Sequence, residues 1–485
     1  MEIRVFQSHM EIYPYEKGQC EKLERMLSRS KRVNRNWYEY EPIAYYIENH
    51  ILYIPKGISP NVLEKFFGVS PVPMPNADPY EKIKKGKGLR GPKNRMQDEG
   101  MQFLLGTGNF NYTGWYSQLG LNLSTGDGKT YATIYTILQL KMKAIIITNQ
   151  EKVKREWINE LTKNTDFPME NLVNISGSYV IDKIFKGKIK GEIYCVNHQT
   201  LASYAREHGW AKIHEFFKKI KVGIKVVDEA HKFFQNTLMI DFFSNCYKNI
   251  YLTATYGRAA NNEKVVYKRA FQSLARFGEE TVNYEEKRKH INFIGVYFNS
   301  KPPYGTYADV KTGFGFSSYK YIDYELNEAT NHALIKLITI LVKKALELEG
   351  KLLVLTPKVE TVEFMKKYIE DLTDIPVAVI HGGISDENVE KAKSDYRIIS
   401  STNKSVGEGV NIKGLRVIIL SEPVGTDQVM DQVIGRLREY SDEDETYVFY
   451  PIDLTIPDIT RMLKAAMPAL KRKCKSIKYI SIGGL

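Results

Sequence analysis

The residues best placed to do chemistry lie at 121–130, Leu-Asn-Leu-Ser-Thr-Gly-Asp-Gly-Lys-Thr, just ahead of the apolar-periodic stretch YATIYTILQL. A loop that runs into a helix N-terminus can turn its backbone N–H groups toward phosphate. Gly126 and Gly128 allow the close approach, and Ser124, Thr125 and Asp127 complete the loop. Lys129 would reach the β and γ phosphates of a nucleotide, and Thr130 would ligate Mg2+. The pattern GxxxxGK[ST] is met except at its first glycine, where Leu123 stands. Taken alone, the segment is also compatible with an ordinary glycine turn before a helix.

A second group, Val226-Val-Asp-Glu-Ala-His231, ends a β-branched run. A carboxylate at a strand tip, followed directly by another, suits two jobs: Asp228 can hold Mg2+ through its water shell, and Glu229 can orient or deprotonate an attacking water. Three further segments follow in order. Thr253-Ala-Thr255 closes another apolar run, where its hydroxyls, with His231, could couple one site to another. Ser405-Val-Gly-Glu-Gly-Val-Asn411 is a glycine-permitted turn carrying Gly409 and Asn411. Gln432-Val-Ile-Gly-Arg-Leu-Arg-Glu439 opens a helix whose Arg436 or Arg438 could stabilise a departing γ-phosphate with a planar, permanent charge. Each segment reads innocently in isolation as a loop or a surface ion pair; their order and spacing do not.

The elements that must carry these groups alternate. AIIIT (144–148), KVVD (225–228) and IYLTAT (250–255) are short, β-rich and nearly unbroken, as buried parallel strands are, with helical patterns between them. A second alternating series begins near residue 330, so the fold class is α/β with two consecutive units, 96–280 and 329–458. Residues 1–80 read as a small α+β module. Residues 81–95 hold seven basic residues, three glycines and a proline, too little to build a core, and read as a linker or phosphate-contacting loop. Residues 281–328 are aromatic- and glycine-rich without a period, and the tail 459–485 is basic with no acidic residue.

Composition narrows the partners. A formal charge of +12 favours a polyanion through counterion release. The four cysteines are far apart, which excludes a zinc framework or disulfide scaffold of the usual spacing. No membrane span and no signal-peptide layout is present, so a cytoplasmic protein is expected.

Together these motifs resemble those of superfamily 2 helicases: motif I at 123–130, motif II as DEAH at 228–231, motif III as TAT, motif V at 402–411 and motif VI at 432–438. Within that superfamily the chain resembles UvsW-type phage recombination helicases, whose motif I also lacks the first glycine. The resemblance implies two tandem RecA-like lobes with mostly parallel sheets behind a small N-terminal domain. It further implies ATP and Mg2+ as cofactors, with ATP held between the lobes, and branched or recombining DNA as the partner. A monomer is expected, in the host cytoplasm if phage-encoded. Position by position, Gln97 takes the place of the adenine-reading glutamine. Thr148 and Asn149 match motif Ia, and His198, Gln199 and Thr200 match motif Ib. Thr356, Pro357, His381, Gly382 and Thr402 match the second lobe's backbone contacts. Motif VI departs from QxxGRxxR, because Arg438 follows Arg436 by two residues and Glu439 takes the third place. An RNA helicase or transcript-release factor, and a nucleotide-dependent DNA-binding scaffold without turnover, stay open as alternatives. An intact Lys129, Thr130, Asp228 and Glu229 set argues against the scaffold.

Overall fold

The computed structural model describes residues 1–32, 38–74, 76–123, 128–253, 261–278, 289–300, 310–312, 315–326, 332–403, 405, 412–437 and 445–481. The chain divides into two compact units, Met1–Val282 and Asn283–Leu485.

The first unit is built on a seven-stranded sheet. Its strands run in the order Leu172–Ile175, Ile193–Asn197, Ala144–Thr148, Ile224–Val227, Lys248–Leu252, Gln118–Asn122 and Ala275–Gly278, and all pair in parallel. Alternation along each strand divides the apolar side chains between two cores. Ile146, Ile193, Val226, Ile250 and Leu252 face one, while Ile145, Ile147, Tyr194, Val196 and Tyr251 face the other. Every motif of this unit leaves the sheet at its carboxyl edge, the usual ligand side of an open α/β sheet.

Residues 1–80, expected as a separate module, share the second of these cores. Their sheet runs Tyr46–Glu48, Ile51–Pro55, His9–Tyr13, Glu2–Val5, Val72–Pro73. Ile3, Ile12, Leu52 and Leu63 lie in one cluster with Phe242, Phe243 and Tyr251. Two short helices, Lys17–Met26 and Pro60–Phe67, are too small to cover this sheet. The helix Phe234–Phe242 supplies the remainder, with Tyr53 ring-to-ring against Phe242 and Phe243. Polar links cross the same seam: Ser8 Oγ donates to the Asp241 carbonyl at 2.9 Å, and Arg29 pairs with Glu263 at 2.6 Å.

Segment 81–95 is likewise tied down. Its backbone bonds to Lys221, Lys141 and Asn164, and Ile83 is buried, which makes it a strap along the first unit. Lys82, Lys84, Lys85 and Lys87 remain exposed on it.

The second unit also has seven parallel strands, ordered Val377–Ile380, Ile398–Thr402, Lys351–Thr356, Leu415–Leu420, Thr446–Asp453, Ile291–Phe298 and Cys474–Ser481. Two of them fall where no lobe element was expected. Ile291–Phe298 belongs to the segment read as inter-lobe, and Cys474–Ser481 to the segment read as a tail. Gly295 interrupts the first strand's apolar alternation because a Cβ there would meet Tyr479 at 2.6 Å, and Tyr297 stacks on that same Tyr479. Lys475 and Lys478 stand exposed on the last strand, the sheet's edge, where charge discourages further pairing. The helix before it, Pro457–Lys473, buries Ile459, Leu463, Ala466 and Leu470, while Arg472 and Lys473 pair with Asp431. The described part of 301–325 forms a hairpin, Lys311–Thr312 with Gly315–Phe316, and the helix Ser318–Glu325. Among the described residues no helix is long and apolar enough to cross a membrane.

Candidate active site

The strand Gln118–Asn122 is fully buried, and the helix Lys129–Leu140 starts where the phosphate-loop reading places it. Ser124, Thr125, Gly126 and Asp127 lie outside the described residues. Gly128, at the helix N-cap, has φ +83°, and an added Cβ would meet Gln97 Nε2 at 2.0 Å. Conformation and space therefore both require glycine there. Gln97 is wholly buried on the helix Arg95–Leu105, and both ends of its amide are engaged. Nε2 donates to the Gly128 carbonyl at 2.9 Å, and Oε1 accepts from Lys93 N at 2.8 Å and Arg90 Nη1 at 3.3 Å. The glutamine expected to read adenine thus braces the end of the phosphate loop. Arg90 itself lies 3.6 Å above the Tyr131 ring. Lys129 Nζ donates to the Leu123 carbonyl at 2.5 Å, and Thr130 sits in the first turn of its helix.

Asp228 follows the strand Ile224–Val227 directly, and its N–H donates to the Ile147 carbonyl of the neighbouring strand at 2.9 Å. Its carboxylate accepts from Trp157 Nε1 at 2.8 Å and from Glu229 N at 2.9 Å. Burial first, and the Glu229 charge second, push its pKa up to about 6 against the pull of the Trp157 hydrogen bond and the Lys129 charge. Glu229 takes φ +50°, a conformation rare for a residue with a Cβ. Its Oε2 lies 3.5 Å from His231 Nε2, while His231 Nδ1 and Thr253 Oγ1 share a hydrogen bond of 2.7 Å. Thr253 N in turn donates to the Leu121 carbonyl at 3.3 Å, so the second and third motifs are bonded to the strand that feeds the phosphate loop. Thr255 lies outside the described residues.

These donors fit Mg2+ held mainly by phosphate and water. Asp228 is one carboxylate that feels the Lys129 charge, and no set of three or more His, Cys, Asp or Glu among the described residues could enclose a metal. Mg2+ in nucleotide sites takes one or two carboxylates plus substrate phosphates.

The expected backbone contacts are mixed. Thr148 Oγ1 donates to Asn197 Oδ1 at 2.7 Å, and Asn197 Nδ2 donates to Glu151 at 3.0 Å, so Thr148 is committed inside the protein. Asn149 is buried, and neither atom of its amide has a hydrogen-bond partner among the described residues. His198 is buried against the Phe233 ring at 3.9 Å, and burial pushes its pKa down to about 4. Gln199 is exposed and Thr200 half-buried.

In the second unit Thr356 is buried and bonds the Lys358 carbonyl at 3.2 Å, with Pro357 buried beside it. His381 bridges Glu363 at 3.2 Å and Gly383 N at 3.2 Å, and Gly382 is exposed. Thr402 Oγ1 donates to Ser405 at 2.7 Å. Gln432 is half-buried on the helix Asp427–Ile434, and Arg436 is buried just beyond it. Gly409, Asn411 and Arg438 lie outside the described residues.

Two family models match these stretches: the type III restriction enzyme res subunit over residues 115–258, and the helicase conserved C-terminal domain over residues 330–439. Together they span just over half of the chain and enclose every motif from the phosphate loop to Arg438. The chain is a superfamily 2 helicase. Helicase domains of this kind imply ATP use. A protein of Acanthamoeba polyphaga mimivirus named as an ATP-dependent RNA helicase is 21% identical over 354 residues, which is 70% of this chain and 60% of that protein. The chain thus spans about three fifths of the length of this curated relative. S. cerevisiae Dbp5 bound to RNA and ADP BeF3 shares the fold at a TM-score of 0.51 and 12% identity, covering 80% of this chain and 89% of that one. T4 UvsW aligns over 99% of both chains at 16% identity and a TM-score of 0.38.

Sequence reasoning missed Trp157 and Arg90. Trp157 occupies the apolar face of the helix Glu151–Asn164 in phase with Val153 and Leu161. Periodicity marks such a ring as core but says nothing of where its N–H points.

Proposed function

We propose that this helicase is an ATP-driven DNA motor that remodels branched or recombining duplexes. The observation that carries the ATP-driven part is the linked series Asp228, Glu229, His231 and Thr253 at the carboxyl edge of the first unit. Lys129 would hold the β and γ phosphates, with Thr130 and Asp228 as the residues that keep Mg2+. Mg2+ held there would offset the charge that develops on the phosphate oxygens. Glu229 would take the proton of the attacking water. His231 lies close enough to Glu229 to respond to that proton, and it passes the response to Thr253 through their shared hydrogen bond.

The DNA reading rests on the resemblance of LNLSTGDGKT to the motif of UvsW-type helicases. The RNA reading is favoured by the names of the mimivirus relative and of the RNA-bound yeast structure. Motor contacts hold a backbone and carry little shape information, so choice of a branch falls to added surface. Residues 1–80 and the exposed lysines of the strap are that surface in the first unit. Because residues 1–80 share the unit's core, substitutions on their exposed face test this role, whereas deleting them would strip the core.

Steady-state ATPase measured with single-stranded DNA, duplex, four-way junction and RNA tests the proposal. Strongest stimulation by the junction supports it; stimulation by RNA alone replaces it with the second reading.

A further inference from the structure

Trp157 is 1% exposed, and its single polar atom, the indole N–H, donates to Asp228 Oδ2 at 2.8 Å. The other oxygen, Oδ1, accepts the Glu229 backbone N–H at 2.9 Å. The carboxyl torsion of an aspartate is broad and weakly two-fold when nothing holds it. Here one oxygen is tied to the main chain and the other to a ring that the core immobilises.

From this geometry we infer that Trp157 is a positioning residue for the divalent cation, orienting the Asp228 carboxylate so that one fixed set of lone pairs is offered to Mg2+. The inference rests on the ATPase reading and adds a residue from outside the helicase motifs to it. An indole N–H suits the task because it only donates. It cannot reverse its role, and it cannot compete with Asp228 for the metal. Outer partners of this kind fix ligand orientation, and their loss typically lowers metal affinity about 10–100-fold.

A buried indole also needs an acceptor for its own sake, so the test must separate metal positioning from packing. Trp157→Phe keeps a buried ring and removes the donor. Leu161→Ala, on the same buried face of the helix, removes packing and leaves the donor. The probe is a fluorescent ADP analogue bound to the full-length protein, titrated with Mg2+ from an EDTA baseline.

For Trp157→Phe the Mg2+ concentration at half-saturation should rise about tenfold, while ADP affinity in EDTA stays near that of the unsubstituted protein. Leu161→Ala should leave the Mg2+ midpoint in place although it unfolds at lower temperature. If the phenylalanine variant does not fold, placing β-(3-benzothienyl)alanine at position 157 keeps the indole's shape, replaces N–H by sulfur, and should give the same shift. An unchanged Mg2+ midpoint in the variant lacking the N–H, or an equal shift in Leu161→Ala, overturns the inference. Absence of ADP binding by the unsubstituted protein at any Mg2+ concentration would instead overturn the ATPase reading beneath it.

Discussion

Asp228 and Glu229 in the first unit, and Asp453 and Glu325 in the second, are both pairs of carboxyls placed close together, with an aspartate at the end of a parallel strand in each. Their surroundings differ. Asp453 and Glu325 are fully buried, and Asp453 is surrounded by donors: Ser300 Oγ at 2.5 Å, Thr455 Oγ1 at 2.7 Å and Thr455 N at 2.9 Å. Burial and the Asp453 charge push the Glu325 pKa up to about 9, so it keeps its proton at neutral pH. In the first unit Asp228 and Glu229 are only partly buried, and Lys129 and His231 stand beside them. One pair resolves its repulsion with a proton and becomes structure. In the other, Asp228 titrates near 6 and stays largely charged at neutral pH, and the pair is open to a cation and a water, which is what chemistry needs. Two neighbouring acids are therefore not a site by themselves; the donors around them decide.

Substitution should separate the pairs most sharply in turnover. Lys129→Ala should abolish ATPase, and Glu229→Gln should bind ATP but lose roughly two or more orders of magnitude in kcat. Glu325→Gln should hydrolyse ATP at nearly the unsubstituted rate. A large loss of kcat in Glu325→Gln would erase the distinction.

Stability should move the other way. Asp228 has its folded pKa raised from 3.8 to about 6, so the stability it contributes is complete below about pH 3.8 and is lost as pH rises through 6. Asp228→Asn should then be inactive yet more stable at pH 7, by on the order of 1–2 kcal/mol once partial exposure is allowed for. Glu325 is raised from 4.5 to about 9, which gives the same sign over a wider window. Between pH 7 and 9 the unsubstituted second unit should lose on the order of 1 kcal/mol per pH unit, and Glu325→Gln should flatten that slope. Denaturant melts across pH measure both effects; parallel pH profiles for Glu325→Gln and the unsubstituted protein would contradict the protonated reading.

A smaller effect is expected at Gln97. Since its amide is bonded to Gly128, Lys93 and Arg90, Gln97→Ala removes three hydrogen bonds and should lower kcat/KM for ATP and GTP alike, by about tenfold or more. A loss confined to ATP would restore base reading to this residue. Smallest of all, neutralising Lys82, Lys84, Lys85 and Lys87 should weaken binding to every DNA alike and reduce its salt slope by up to about one unit per lost phosphate contact.

The placement of the motor motifs was legible because it depends on residue type at strand tips. Asp228, Glu229 and Thr253 each follow a buried parallel strand, and such strands announce themselves as short β-rich runs. What sequence hid depends on partners far along the chain. Cys474–Ser481 reads as basic because edge strands carry lysine, and Gly295 makes sense only beside Tyr479. Residues 1–80 look self-contained until their sheet is seen to borrow Phe242 and Phe243. Gln97 was read as an adenine-reading glutamine from its order ahead of motif I, and its bonding to Gly128 is a matter of three-dimensional reach that no spacing encodes.

The most direct test follows a labelled four-way DNA junction mixed with the unsubstituted protein or with Glu229→Gln, with and without ATP. The account predicts that the unsubstituted protein converts the junction to duplex products only with ATP, and that Glu229→Gln binds the junction and leaves it intact. Conversion by Glu229→Gln at the unsubstituted rate, or an unsubstituted protein that leaves the junction untouched while unwinding RNA, would contradict it.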